Sequence, residues 1–158
     1  MAKMTPVDAT FFDTAPLRFE TAGVVHATPA EVWEEIIGDN WTEWFPGMSL
    51  CSYSTPLPRG LDSVRTVKIN GLEVEERVVV FDPERAWAFS GLRANVPFAK
   101  RLLEGFALEA TDGGASTRLT YRAGIETTWA TRLVSKLLRR QMTASWAEAI
   151  DALDQHLQ

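Results

Sequence analysis

Glu76 is the residue of this sequence best placed for proton chemistry. In LEVEERVVVF it stands at two-residue steps from Val74, Val78 and Val80, so strand alternation puts these four on one side and Glu73, Glu75 and Arg77 on the other. A carboxyl held among valines has a raised pKa and suits a general acid or base. The competing reading is a solvated glutamate near the end of the sheet, which the rarity of unpaired buried Glu favours. Tyr121 keeps step with Leu119 and Ala123. Its phenol could serve a ligand carbonyl, share in proton transfer, or simply bond the backbone. His26 and His156 are the only histidines and lie far apart, without the spacing of metal ligands. Cys51 has no neighbouring His and reads as a buried, inert thiol. No glycine-rich loop joins a strand to a helix as a phosphate site requires. Neither a metal nor a cofactor is expected.

The aromatic residues suggest binding more than catalysis. Trp41, Trp44 and Phe45 crowd into five residues before Pro46-Gly47, a pattern for the mouth of an apolar site or for a seal on the core. Trp87 and Phe89 share one face of a strand, and Phe106 and Leu108 one face of another; they either line a cavity or fill a core. Leu133 and Leu137, on the apolar stripe of the last helix, complete the expected ligand-contacting set. Arg132, Lys136, Arg139 and Arg140 form a basic stripe on that helix, either a surface for an anionic partner or a solvated face.

These side chains need elements to position them. Residues 17–27 alternate as a strand, with Gly23 marking a bulge or bend. Thr28, Pro29 and Glu31 have the form of a capped helix start, and Val32, Trp33, Ile36 and Ile37 form its stripe up to Gly38. A second short helix carries Trp41 and Trp44. A meander of strands follows, in which Asn70-Gly71 predicts a tight hairpin and Asp82-Pro83-Glu84-Arg85 a type I turn. Residues 129–158 contain neither Gly nor Pro and repeat apolar residues at three- and four-residue steps, which predicts one long amphipathic helix packed on the sheet. Residues 1–15 read as a loose lead-in. Strands grouped together with segregated helices mean an α+β class, and 158 residues suit a single domain.

The composition narrows the function. Hydrophobic residues make up 46% and charged residues 23%, which argues against disorder. A net charge of −5 argues against nucleic acid and against docking on anionic lipid by charge alone. One cysteine allows no internal disulfide. No apolar run suits a signal peptide or membrane insertion, so the cytoplasm is the expected location. A homodimer is left open.

The run ATPAEVWEEI after the first long strand, then DNWTEWFPGM, VKINGLEVEERVVVFDPERAWAFSG, GGASTRLTYRAGIE and the closing helix resemble the helix-grip fold. This is the fold of the START/Bet v 1-like (SRPBCC) superfamily, and the polyketide cyclase/dehydrase-like branch is the most similar, over residues 17–157. The resemblance implies a curved antiparallel sheet of about seven strands wrapped on the long C-terminal helix, with two short helices after the first strand. It implies a cavity between sheet and helix for an apolar, lipid- or polyketide-like small molecule. Two other functions are compatible with it. One is a cofactor-independent cyclase, aromatase or dehydratase using an inward acid or base such as Glu76 or Tyr121. The other is a protein-interaction or stress-response module.

Overall fold

Eight strands join in one antiparallel sheet in the computed structural model, which describes the whole chain apart from the side chain of Ala130. The strands are β1 (Ala2–Lys3), β2 (Leu17–Val25), β3 (Met48–Tyr53), β4 (Val64–Ile69), β5 (Leu72–Asp82), β6 (Ala86–Ala94), β7 (Ala99–Thr111) and β8 (Ser116–Thr127). Their order is β2-β8-β7-β6-β5-β4-β3, and β1 pairs with β6 off this path. The helices are α1 (Phe11–Thr14), α2 (Pro29–Ile37), α3 (Trp129–Arg132) and α4 (Ser135–His156), with a 3-10 turn at Asn40–Glu43. The sheet wraps on α4 in the helix-grip arrangement.

Local chemistry explains the elements that matter for the site. Thr28 and Glu31 form a reciprocal capping box: the Thr28 hydroxyl accepts from the Glu31 N–H at 3.3 Å, and the Glu31 carboxylate accepts from the Thr28 N–H at 2.8 Å. The helix it starts buries Val32, Trp33 and Ile36. Asn70 and Gly71 have φ of 49° and 86°, as a type I′ turn requires, and Ile69 faces Leu72 across it. This two-residue turn sets the register of the whole β4–β5 hairpin, including the pairing of Arg65 with Glu76.

The concave face carries the main core, with Phe19, Val78, Trp87, Leu102, Phe106, Leu119 and Ile125 among its buried side chains. The C-terminal half of α4 covers part of it through Trp146, Ala149, Ile150 and Leu153. Gly23 is neither bulge nor bend, because β2 pairs with β8 in unbroken register from Leu17 to Val25. It allows close approach instead: a Cβ at this position would lie 2.8 Å from Cγ2 of Ile150. Gly23→Val should therefore cost about 1–3 kcal/mol by pushing α4 off the sheet. At Gly60 nothing stands within 4 Å of an added Cβ, and Gly60→Ala should stay within about 0.5 kcal/mol. Urea denaturation of the two variants checks the contrast.

Three further expectations are corrected. Residues 1–15 are not a loose lead-in: Met4 joins the main core, and Phe11 and Ala15 pack on the convex face with Ala88 and Leu103. Val80 does not share the face of Glu76, since a register shift between Val78 and Val80 turns it toward the convex cluster. The C-terminal helix is not continuous either. It breaks at Leu133–Val134, where α3 is tied to the strand side by the Thr131 hydroxyl donating to the Phe98 carbonyl at 2.9 Å.

Candidate functional site

Between the concave face and the N-terminal half of α4 lies a cavity of about 320 Å³. The strands contribute Val67, Val74, Phe89 and Leu102 to its wall, the 3-10 turn contributes Trp41 and the residues just after it Phe45, and α4 contributes Leu138, Met142 and Trp146. Its exposed lining residues, Asn70 on the β4–β5 turn and Gln141 on α4, mark where it opens.

One wall is polar. Arg65 and Glu76, opposite each other on β4 and β5, are each 1% exposed and meet with Nε 2.7 Å from Oε1. The guanidinium stacks over Trp41 at 4.1 Å and Trp87 at 4.7 Å from the ring centroids. The other oxygen of Glu76, Oε2, is buried and has no hydrogen-bond partner among the described residues. Glu104 on β7 also lines the cavity and accepts from the Tyr121 hydroxyl at 2.8 Å. Tyr121 is stacked in turn under Trp146, with ring centroids 3.8 Å apart.

Burial governs the electrostatics. Desolvation lifts Glu76 to about 7 against the attraction of Arg65. It lifts Glu104 to about 7 against the hydrogen bond from Tyr121, and the charge of Glu76 adds to the rise. Only Glu76 has a cation in contact, so the first proton taken up as pH falls goes to Glu104. Burial, and then the neighbouring Glu104, push Tyr121 well above its ordinary value, so it stays a neutral hydrogen-bond donor. The arrangement offers a lone carboxylate acceptor and a proton-bearing carboxyl inside an apolar chamber.

The expected site residues divide clearly. Trp41, Phe45, Phe89 and Glu76 line the cavity. Trp44 and Phe106 pack behind Trp146 in the filled part of the core. Trp87 lies beneath Arg65, and Tyr121 reaches the site only through Glu104. Glu76 is not solvated; its partner is Arg65. Leu133 and Leu137 do not face the cavity and are 93% and 64% exposed. Within α4 the residues facing inward are Leu138, Met142 and Trp146, and Leu137 stands about 100° to 180° around the helix from them.

Arg65 and Glu104 were not anticipated, yet both left a signal. Counting back from Asn70-Gly71 pairs Arg65 with Glu76, and two-residue steps place Glu104 on the face of Leu102, Phe106 and Leu108. The histidines serve as pins on the C-terminal helix: His26 Nδ1 lies 3.0 Å from Asp154, and His156 Nε2 3.5 Å from Glu35. Among the described residues no three His, Cys, Asp or Glu side chains gather in a metal-holding group.

Residues 16–158 match the family model described as polyketide cyclase / dehydrase and lipid transport. The chain is similar in structure to a START superfamily protein from Mycobacterium smegmatis, at 15% identity and a TM-score of 0.72, over 89% of this chain and 99% of that one. It is similar to the protein XoxI from Bacillus cereus at 17% identity and a TM-score of 0.71, over 88% and 94% of the two chains. It is also similar to Ara h 8.0201 at 15% identity and a TM-score of 0.69, over 89% and 96%. At these identities the likeness is one of fold. No curated protein matches the chain.

Proposed function

Since the chain belongs to the polyketide cyclase / dehydrase and lipid transport family, within the START/Bet v 1-like superfamily, we propose that it binds an apolar small molecule carrying one hydrogen-bond donor at its buried end. A single observation carries this reading. Oε2 of Glu76 is buried and unpaired on a side chain that lines a mostly apolar cavity of about 320 Å³. A buried acceptor without a partner costs roughly 1–3 kcal/mol, more when charged, and a ligand hydroxyl or N–H would relieve that cost. The apolar body of the ligand would leave water for the wall formed by Val67, Val74, Phe89 and Met142.

The test uses N-phenyl-1-naphthylamine, an apolar fluorophore with one N–H donor. The wild-type protein should take it up with a rise in fluorescence. Val74→Trp, which fills the cavity, should weaken uptake by about tenfold or more, or about 1.4 kcal/mol. Native mass spectrometry of the purified protein should reveal a bound small molecule that Val74→Trp lacks. Equal uptake by both proteins, with no bound molecule in either, would sink the reading.

A second reading, an enzyme of the cyclase or dehydratase type, is favoured by the two carboxyls near 7 on one chamber. One would remove a proton from a carbon beside a carbonyl while the other protonates a departing hydroxyl, which leaves as water. Glu104→Gln separates the two: a pure binder keeps its ligand unchanged with either residue, whereas an enzyme keeps binding and loses conversion.

A further inference from the structure

The face of the C-terminal helices beside the cavity mouth carries an unusual combination. Trp129, Leu133 and Leu137 follow one another at four-residue steps and are 85%, 93% and 64% exposed. Val134 beside them is exposed as well. Lys136 and Arg140 lie within about 100° of Leu137 around α4, whereas Arg139 lies about 160° away, and these three and Arg132 are all exposed. Among the described residues none of these four stands within ion-pair distance of a carboxylate. Residues 127–147 contain no Asp or Glu, in a chain whose net charge is −5. The overall acidity therefore hides a locally basic segment.

We propose that this face docks on an anionic bilayer surface, with Trp129, Leu133 and Leu137 entering the headgroup region and Lys136 and Arg140 beside them meeting lipid phosphates and carboxylates. Charge complementarity selects the partner. Large exposed apolar groups among cations, with no anion, match the interface of an acidic membrane; a nucleic acid would leave the leucines and the tryptophan without a partner. The docking is peripheral, since no helix is long and apolar enough to cross a membrane. Position gives it a use. Leu138 and Gln141, one and four residues beyond Leu137, line the cavity, and Phe98, whose carbonyl is held by Thr131 of α3, lines it too. Docking would set the cavity mouth against the bilayer, so an apolar ligand could pass between lipid and chamber without crossing water. The docking itself rests on the helix surface alone; only this use of it rests on the binding reading above.

Co-sedimentation with vesicles tests it on the intact chain. Binding is expected to phosphatidylcholine vesicles containing about 30% phosphatidylserine, to weaken as salt is raised, and to be much lower on phosphatidylcholine alone. Each Lys or Arg near such a surface is worth about fivefold in affinity, so Lys136→Ala with Arg140→Ala should lower it about 25-fold. The other five tryptophans are buried, so vesicles of brominated lipid should quench Trp129 selectively. Trp129→Ser with Leu133→Ser, both at exposed sites, should abolish that quenching and most of the binding while leaving naphthylamine uptake and the urea midpoint unchanged. Failure to bind phosphatidylserine vesicles, or binding that survives the Trp129→Ser, Leu133→Ser pair, would overturn the proposal. Capture of an acidic protein or a nucleic acid instead of vesicles would overturn it equally. The naphthylamine result stands apart, so loss of either reading can be told from loss of the other.

Discussion

Arg65→Met should lower folding stability by about 3–5 kcal/mol near neutral pH and above, the largest single effect expected in this chain. The side chain is 1% exposed, and its removal strands the Glu76 carboxylate, also 1% exposed, among Val74, Val78 and Phe89. The stacking over Trp41 and Trp87 is lost as well, which adds roughly 0.5–2 kcal/mol. Without its cation Glu76 takes up a proton more readily, so the deficit should shrink at about pH 5, where neutralisation relieves the unpaired charge. Arg65→Met combined with Glu76→Leu should recover most of the stability, because a buried ion pair replaced by apolar groups of similar volume is close to neutral. The same double variant should lose naphthylamine uptake in proportion to what Oε2 of Glu76 contributes. Urea denaturation of the wild type and the two variants at the two pH values is the measurement. A single variant as stable as the double would show that the pair carries no such coupling.

The second large effect is a fall in stability with rising pH, and its origin in Glu104. The folded-state values of Glu76 and Glu104 are raised to about 7 from the ordinary 4.5. Between these values the folded protein holds protons that the unfolded chain has released, so stability decreases as pH rises through this window. The contribution is fully present below about 4.5 and gone above about 7. At 1.36 kcal/mol per pKa unit the loss amounts to about 3 kcal/mol per carboxyl at most. Glu104→Gln retains an oxygen for the Tyr121 hydroxyl and removes one titration. It should be more stable than the wild type by about 2–3 kcal/mol near pH 8 and nearly equal to it near pH 4, giving a flatter profile. Stability curves for the two proteins that run parallel across the window would place the titration elsewhere.

Together the two effects describe a chamber maintained against folding stability. The ion pair on its wall adds little net stability over apolar side chains of the same volume, and the second carboxyl costs stability as pH rises through its titration. Natural chains accept such local cost chiefly at functional sites.

Much of this was legible in residues with short-range consequences. Thr28-Pro29-Ala30-Glu31 starts a helix because capping is satisfied within four residues. Asn70-Gly71 turns a hairpin because both residues tolerate positive φ, and the turn alone pairs Arg65 with Glu76. The strand-rich middle and the apolar C-terminal run define the α+β class, because strands without crossover helices can pair only antiparallel.

Other features depended on contacts between distant segments. The shift between Val78 and Val80 inverted the facing of Val80, since a bulge breaks the two-residue period without any mark in the sequence. Leu133 and Leu137 went from the expected lining to the surface because the apolar residues spread around more of α4 than the side that meets the sheet, and Leu138, Met142 and Trp146 took that side. Glu76 came to be buried only because β4 delivers a cation to meet it, and Glu104 became its neighbour only through the curvature that brings β5 and β7 onto one chamber. Periodicity, capping and turn chemistry act over a few residues and can be read along the chain. Which charges share a cavity, and which leucines meet water, depends on how sheet and helix close on each other, and that is decided in three dimensions.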